Sequence, residues 1–241
     1  MDMKERGDLV INGFGASNGG TFRQVILNGF GTVNSDVECV EFESNGFGTV
    51  DGNVTSEQTK INGKAKVKGT IESQHLAIDG TAKIDENLYV KKLKVSGKAS
   101  VGGKIKSEEI KINGVLRVEG DCEAEIFKAD SQFAIGGLLN AEQITIQLHG
   151  PCKAKEIGGE TILVKHRHRG SFFESLIKPL FSTQLEAEFI EGDVIELENT
   201  IAKVVRGNQV KIGRNCQIGV VEYREDFSQH KNAVVKESIK V

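Results

Sequence analysis

Several features that mark common protein classes are missing from this sequence. Its 241 residues contain no tryptophan, two prolines and very few long apolar runs, and no signal peptide, membrane-spanning segment or lipidation motif is present. The net charge is −3 with acidic and basic residues interspersed, which argues against a general nucleic-acid binder. The sequence therefore predicts a protein of the cytoplasm or of the inner face of the membrane, with no nucleic acid as a partner.

Glycine, in contrast, is abundant and recurs in a repeat. The tetrapeptide Asn-Gly-Phe-Gly begins at Asn12, Asn28 and Asn45. The unit around it continues to Ile146 at steps of about 17 residues, which is short for a repeat protein. A dinucleotide-binding loop is disfavoured, because Asn18 stands where that fingerprint needs its third glycine and no helical period follows. Repetition at a short, nearly constant period instead predicts a solenoid.

Apolar residues alternate within each unit, which is typical of short strands with one buried face. Two columns stay apolar from unit to unit: Val33, Val50, Val67, Ile84, Val101, Val118 and Ile135, and Val37, Val54, Ile71, Leu88, Ile105, Cys122 and Leu139. An α-solenoid would need more than about 30 residues a unit. We therefore predict an all-β protein, a parallel β-helix of about eleven coils with three short strands per coil.

The repeat also suggests how the chain is divided. A short N-terminal tail (1–10) precedes regular coils (11–164), and looser coils (185–223) precede a C-terminal tail or cap (224–241). Between them, residues 165–184 combine a basic run with apolar residues at helical spacing, which predicts a short helical or irregular insertion. Two interpretations stay open: the insertion covers the solenoid, or it contacts a membrane or partner through Lys165, Arg167, Arg169, Phe172, Phe173, Leu176 and Ile177.

In most of the units, the corner carries the pair Asn-Gly or Asp-Gly. We expect these pairs to supply the positive φ of a tight corner, and the stacked asparagines to hydrogen-bond along the repeat. Phe14, Phe30 and Phe47 follow this corner in the first three units, where later units carry residues such as Lys64 and Thr81. The three rings either form an exposed interface stripe or are turned inward or covered by the tail.

The positions of the cysteines in the repeat indicate packing residues of the core. Cys39, Cys122 and Cys152 fall in inward columns, with Cys152 one step beyond Ile135, and no Cys-x-x-Cys spacing occurs. Cys39 and Cys122 are five coils apart, or roughly 24 Å at the spacing of β-strands, which is beyond disulfide reach. We expect buried, reduced thiols.

Candidate catalytic groups are scattered along the sequence. Acidic residues alternate with lysines on outward positions, so no carboxylate pair in a cleft is expected. His166 and His168 share a strand face but lack a third metal ligand. We expect no catalytic, cofactor-binding or metal-binding residues and no small-molecule substrate. The alternative is a β-helix acyltransferase or carbohydrate-active protein with an unrecognised site, for which His75 and His149 are the candidate histidines.

Four glycine-cornered stretches, KVKGTIES, SVGGKIKS, RVEGDCEA and AIGGLLNA, carry a family resemblance. Over residues 11–150 the chain resembles the bactofilins, bacterial cytoskeletal proteins. The resemblance implies a right-handed β-helix that polymerises without nucleotide through head-to-head and tail-to-tail contacts. It also implies a scaffold for cell-shape, polarity or motility machinery, with its own copies or a paralogous chain as partners and peripheral membrane contact.

The ends of any β-helix expose unpaired backbone groups, which favours self-association. The first coil follows directly on a short tail, so we expect chains to meet end to end at Leu9, Ile11, Val25 and Leu27, helped by Phe14, Phe30 and Phe47. The sequence thus predicts a non-enzymatic scaffold that assembles with itself.

Overall fold

The structure, a computed structural model, describes residues 6–166 and 183–241. It is an all-β parallel β-solenoid of about 13 turns with a period of about 17 residues, and no helix occurs within the described residues. The predicted fold class is therefore confirmed. The estimate of about eleven coils is too low, because the polar C-terminal residues, which resemble a tail in composition, form strands.

The chain divides into two compact units, Met1–Ala124 and Glu125–Val241. The first unit contains β1 (Leu9–Ile11), β2 (Phe14–Ser17), β3 (Gly20–Thr21), β4 (Gln24–Leu27), β5 (Phe30–Val33), β6 (Val37–Ser44), β7 (Phe47–Val50), β8 (Val54–Ile61), β9 (Lys64–Val67), β10 (Ile71–Ile78), β11 (Thr81–Ile84), β12 (Leu88–Val95), β13 (Lys98–Val101), β14 (Ile105–Ile112) and β15 (Val115–Val118).

The strand β16 (Cys122–Ala129) includes the boundary between the units. The second unit then contains β17 (Gln132–Leu148), β18 (Cys152–His166), β19 (Leu185–Leu197), β20 (Thr200–Ile212), β21 (Gln217–Gln229) and β22 (Val234–Lys240). Residues 224–241, predicted as a tail or cap, thus contain the end of β21 and all of β22.

Each coil of the first unit consists of three short strand segments, as the sequence predicts. In β6 the backbone turns at Val40, which separates Val37–Cys39 from Glu41–Ser44, and β7 supplies the third segment. Each segment pairs in parallel with the segment one period further along the chain, such as Val37 with Val54. The outermost coil is slightly shorter than the others, because Phe14 lies opposite Phe30.

The core lies inside the coils. The column from Val33 to Ile135 is buried throughout, and so is the column from Val37 to Leu139. A third inward column, which includes Ser56 and Ser73, admits serine because the buried hydroxyl groups hydrogen-bond to one another. Ser56 Oγ lies 2.6 Å from Thr59 Oγ1 and 3.0 Å from Ser73 Oγ. Buried hydroxyls without such partners would cost stability, so this cluster satisfies its own polar groups.

The glycines at the corners have a different cause from the one expected. Among the glycines of the described residues, Gly20 alone has a φ in the left-handed region, and it does not lie at an Asn-Gly corner. The prediction of a positive φ at those corners is therefore wrong. A Cβ on Gly63 would lie 2.1 Å from the carbonyl oxygen of Gly46, and one on Gly80 would lie 1.9 Å from that of Gly63. The corner is glycine because successive backbones approach too closely to admit a side chain.

A second polar column, which the sequence reasoning did not identify, secures the other end of the third segment. Asp36 Oδ1 accepts a hydrogen bond from Asn53 N at 2.7 Å, and Asn53 Oδ1 accepts one from Thr70 N at 2.8 Å. Asn87 Oδ1 accepts one from Lys104 N at 3.0 Å in the same way. These side chains take up backbone donors where strand pairing stops.

In the second unit the step between layers changes. Cys152 lies opposite Phe133 and Ala154 lies opposite Ile135, so the prediction that Cys152 follows Ile135 in its column is wrong. The step from β17 to β18 is longer than the steps of the first unit, which places a different residue above Ile135. The strands on either side of the predicted insertion pair directly, with Cys152 opposite Leu185.

Most of the predicted insertion lies outside the described residues. This includes Arg167, Arg169, Phe172, Phe173, Leu176 and Ile177. Lys165 is described as an exposed residue near the end of β18, and its carbonyl oxygen accepts a hydrogen bond from Gln147 Nε2 at 3.3 Å. Its proposed role in a membrane or partner contact stays a prediction.

Candidate self-assembly surface

Three aromatic rings form a row on the outside of the first unit. Phe14, Phe30 and Phe47 lie opposite one another on β2, β5 and β7. Successive ring centroids are 4.8 Å apart with interplanar angles of 1° and 2°, so the rings stack at the spacing of the strands themselves. Their exposed fractions are 88%, 50% and 53%, which shows that this position faces outward. We call these three residues the aromatic row.

A ladder of asparagines runs beside the aromatic row. Asn28 Nδ2 donates to Asn12 Oδ1 at 2.7 Å, Asn45 Nδ2 to Asn28 Oδ1 at 2.9 Å, and Asn62 Nδ2 to Asn45 Oδ1 at 2.7 Å. The expected hydrogen bonds along the repeat are therefore confirmed. Every amide donates toward the N-terminal end, so the ladder holds the outermost coils in one register.

The N-terminal coil ends in strand edges that pair on one side. Among the described residues, β1 pairs with β4, β2 with β5 and β3 with β6, and no strand covers their outer edges. Apolar side chains are exposed at this edge, with Val10 at 45% and Phe14 at 88%. The edge thus combines unpaired backbone groups with apolar surface, which are the features of a strand edge that pairs with another chain.

The residues predicted to form the end contact occupy different depths. Leu9 is partly exposed on β1 and Ile11 is 9% exposed. Val25 and Leu27, on β4 in the next coil, have no exposed surface, so their side chains belong to the core rather than to the edge. Leu9 and Leu27 therefore differ in accessibility, and the apolar side chains accessible at this edge are those of Leu9, Val10 and Phe14.

The sequence reasoning missed a second edge at the C-terminal end. There β22 pairs with β21, and no other described strand pairs with it. Val234, Ile239 and Val241 are 58%, 38% and 64% exposed in this last layer. The segment AVVKESIKV does carry apolar residues, but its polar neighbours made it resemble a tail.

Burial makes the thiols poor nucleophiles. Cys39, Cys122, Cys152 and Cys216 are all free and buried, as expected for the first three. Desolvation raises the pKa of Cys39 and of Cys122 to about 12, and that of Cys152 and of Cys216 to about 11. Burial and a raised pKa both make a thiol unreactive, so these four side chains act as packing residues of the core.

The candidate histidines lie on the surface. His149 Nε2 is 2.8 Å from Asp130 Oδ1, with both side chains well exposed, and His75 points outward from β10. Over residues 6–166 and 183–241, no three His, Cys, Asp or Glu side chains are grouped so as to hold a metal ion. In that same part of the chain, no helix has the length and hydropathy to cross a membrane.

Comparisons with known proteins agree with this architecture. The model of the bactofilin family, which is described as polymer-forming cytoskeletal, matches residues 2–89. The chain is 54% identical to the uncharacterized protein YhbE of Bacillus subtilis (strain 168), over 100% of both chains. It is 42% identical to the uncharacterized protein YhbF of the same bacterium, over 39% of this chain and 37% of YhbF. No solved structure matches the chain.

The glycine-cornered coils, the parallel β-solenoid and the family match over the N-terminal coils all lead to the same assignment. The chain belongs to the bactofilin family of polymer-forming cytoskeletal proteins.

Proposed function

We propose that this protein is a non-enzymatic cytoplasmic scaffold whose copies join end to end, without nucleotide, through the edges of the first and last coils. The supporting observation is where the exposed large apolar side chains lie. Of the nine such residues in the described parts of the chain, two lie on the outermost coil (Val10 and Phe14) and three lie in the last layer (Val234, Ile239 and Val241). End-to-end polymerisation requires an association at each end, and both terminal layers carry such surface.

The physical driving force at each end has two parts. Pairing an open strand edge satisfies backbone N–H and C=O groups, each worth about 1 kcal/mol net. Burying the exposed ring of Phe14 adds about 1.5–3 kcal/mol. Because identical edges can pair across a two-fold axis, the contact at each end joins like to like.

Family membership supports a role in organising envelope, cell-shape or motility machinery on this polymer. A paralogous chain is a candidate copolymer partner, because Bacillus subtilis contains two proteins, YhbE and YhbF, that both resemble this chain. Which machinery assembles on the scaffold is a question for pull-down from the native cell.

Negative-stain microscopy of the purified chain, without nucleotide and in low and moderate salt, tests the end contact. We expect filaments or regular end-joined rods from the unaltered protein. Phe14→Lys places a charge on the N-terminal edge and should raise the concentration needed for assembly at least about tenfold. The matched control is Phe47→Lys, the same change two coils away from the edge, which should leave assembly intact.

Uniform monomers of the unaltered protein at micromolar concentration would refute the proposal. Equal loss of assembly in Phe14→Lys and Phe47→Lys would show that the side of the coil, rather than its edge, joins the copies. Circular dichroism on both variants tests whether the β-solenoid remains folded.

A further inference from the structure

We propose that the outermost coil carries two sites of spontaneous deamidation, Asn12 and Asn18, and that the product at Asn12 weakens the N-terminal end contact. The second part rests on the proposed function, because it concerns the edge through which copies join. The first part concerns the chemistry of single asparagines and applies equally to a dispersed chain. Asparagine is a thermolabile residue, and a glycine after it has no side chain to shield the backbone nitrogen that attacks.

The asparagines that precede glycine fall into groups with the same local sequence. The tripeptide Ile-Asn-Gly occurs at 11–13, 61–63 and 112–114, Ser-Asn-Gly occurs at 17–19 and 44–46, and Leu-Asn-Gly occurs at 27–29. All of these asparagines are exposed to solvent. Since the neighbouring residues are the same within a group, a difference in reactivity inside that group comes from the fold.

Deamidation requires a free nucleophile, an electrophilic carbon and a group that leaves. The backbone nitrogen of the glycine attacks Cγ of the asparagine and gives up its proton to water. The new C–N bond closes a succinimide ring, the Cγ–Nδ2 bond breaks, and the departing nitrogen takes up a proton and leaves as ammonia. Water then opens the ring at either carbonyl and gives aspartate or isoaspartate. Water is the co-reactant, and no electrons are transferred.

The attacking nitrogen is bound in the interior Ile-Asn-Gly units and free in the outermost one. Gly63 N donates to the carbonyl oxygen of Ser44 at 3.0 Å, and Gly114 N donates to that of Val95 at 3.0 Å. Gly13 N has no acceptor among the described residues, because no described strand lies beneath the first coil. The nucleophile is therefore available at Asn12 without the loss of a hydrogen bond.

The Ser-Asn-Gly units differ in the same way. Gly46 N donates to the carbonyl oxygen of Leu27 at 3.1 Å, in the coil before it. Asn18 lies between β2 and β3, whose outer edges no described strand covers, and Gly19 N has no acceptor among the described residues. The free nitrogen is thus a property of the outermost coil and not of one tripeptide.

The direction of the asparagine ladder adds a second difference at Asn12. Asn12 Oδ1 accepts a hydrogen bond from Asn28 Nδ2 at 2.7 Å, which draws electrons away from Cγ, while Asn12 Nδ2 has no acceptor among the described residues. Asn62 has the reverse arrangement, because its Nδ2 donates to Asn45 Oδ1 at 2.7 Å and to Glu43 Oε1 at 3.2 Å. A side chain that accepts without donating has an activated carbon and an unrestrained leaving group. The ladder places that side chain at the uncovered edge.

Deamidation of Asn12 alters the edge at which copies join. Aspartate adds a negative charge two residues before Phe14, and isoaspartate adds one carbon to the backbone just ahead of β2. Because the proposed contact joins like to like, each product faces an identical product across the two-fold axis. Like charges opposite one another on paired strands are destabilising, and a lengthened backbone shifts the register of the pairing.

Peptide mapping by mass spectrometry, after prolonged incubation of the full chain at constant pH, tests the two sites. The chain is kept below the concentration at which it assembles, so that the edge stays free. Asn12 should deamidate at least about fivefold faster than Asn62 and Asn113, since at both of those sites a backbone hydrogen bond must break first. Asn18 should exceed Asn45 by about the same factor for the same reason.

The same chain unfolded in urea is the control for local sequence. There the three Ile-Asn-Gly units should react at one rate, and so should the two Ser-Asn-Gly units. Equal rates within each group in the folded chain would overturn the assignment of the sites. So would a faster reaction at Asn12 and Asn18 that persists in urea, because it would not depend on the fold.

Asn12→Asp tests the effect of the product on assembly. It should raise the concentration needed for assembly by about fivefold. The matched control is Asn113→Asp, the same change of charge in an interior coil, which should assemble as the unaltered protein does. Asn12→Ser forms no succinimide and carries the residue that Ser96 supplies in a later coil. It should therefore keep its assembly through an incubation that weakens assembly of the unaltered protein.

The proposed function and the effect of deamidation fail in distinguishable ways. Uniform monomers of the fresh, unaltered protein would refute the end contact, while the deamidation rates of the dilute chain would still decide the two sites. Filaments that form equally well from Asn12→Asp, Asn113→Asp and the unaltered protein would leave end-to-end assembly standing. That result would overturn the proposed effect of deamidation at Asn12.

Discussion

Replacing Gly63 by alanine tests why the corners of this solenoid are glycine. A Cβ there would lie 2.1 Å from the carbonyl oxygen of Gly46 and 2.5 Å from that of Asn45. Gly13 holds the same position of the outermost coil, where a Cβ would meet nothing within 4 Å. The two substitutions are chemically identical and differ only in whether another coil lies underneath.

The expected magnitude follows from the hydrogen bonds at that corner. To admit the methyl group, the coil of Gly63 must move away from the coil of Gly46 by about 1 Å, since a methyl group needs ordinary van der Waals distance from an oxygen. That movement stretches the bond from Lys64 N to Gly46 O, now 2.8 Å, and the bond from Gly63 N to Ser44 O, now 3.0 Å. Losing two such bonds and the packing around them should cost roughly 2–4 kcal/mol. Gly13→Ala should be neutral or stabilising by up to about 1 kcal/mol.

Urea unfolding monitored by far-ultraviolet circular dichroism measures both variants. It is best done at one protein concentration in the Phe14→Lys background, since association would otherwise add to the apparent stability. A positive φ at the corner would penalise alanine in every coil alike. Equal destabilisation by Gly13→Ala and Gly63→Ala would therefore refute the argument from close backbone approach.

Three further substitutions or treatments probe the core and the ladder. Ser44 Oγ is fully buried and has no hydrogen-bond partner among the described residues, so Ser44→Ala should raise the free energy of unfolding by about 1 kcal/mol; a loss in urea unfolding would contradict this. Asp79→Asn should extend the asparagine ladder, because an amide can donate to Asn62 where a carboxylate cannot; we expect about 0.5–1 kcal/mol of stabilisation, and no change in the urea midpoint would show that the ladder ends at Asn62. Burial raises the pKa of Cys39 and Cys122 to about 12, above the value of about 9 in an unfolded chain. The folded state therefore holds more protons than the unfolded state, and the free energy of unfolding should fall as pH rises above about 9. An unfolding free energy that stays constant between about pH 9 and about pH 11 would contradict this prediction.

The periodic part of the fold could be predicted because each coil repeats the same local pattern. Val33, Val50 and Val67 recur at a fixed interval, and a column that stays apolar for several coils is compatible with one arrangement of the chain. The burial of a given residue was harder to predict where the number of residues per coil changes. The longer layer step between Phe133 and Cys152 moved a residue out of its expected column, and a fixed period cannot anticipate such a shift.

The C-terminal strand and the second polar column could not be predicted from the sequence pattern alone. Val234–Lys240 is a short polar segment whose strand conformation depends on pairing with β21. Likewise, Asn53 binds the backbone of Thr70 because the next coil places that N–H group above it. Local sequence carries little signal for either, since both depend on a neighbouring layer.

The amino-acid sequence by itself determined the class of fold, the inward columns, the burial of Cys39 and Cys122, and the position of the aromatic row. Tertiary structure decided why the corners are glycine, which side chains reach the end edges, and that the rings of Phe14, Phe30 and Phe47 face outward in a stack. The physical reason is that alternation and period are local properties of the chain. Exposure, edge pairing and close approach arise only when one coil is laid upon another.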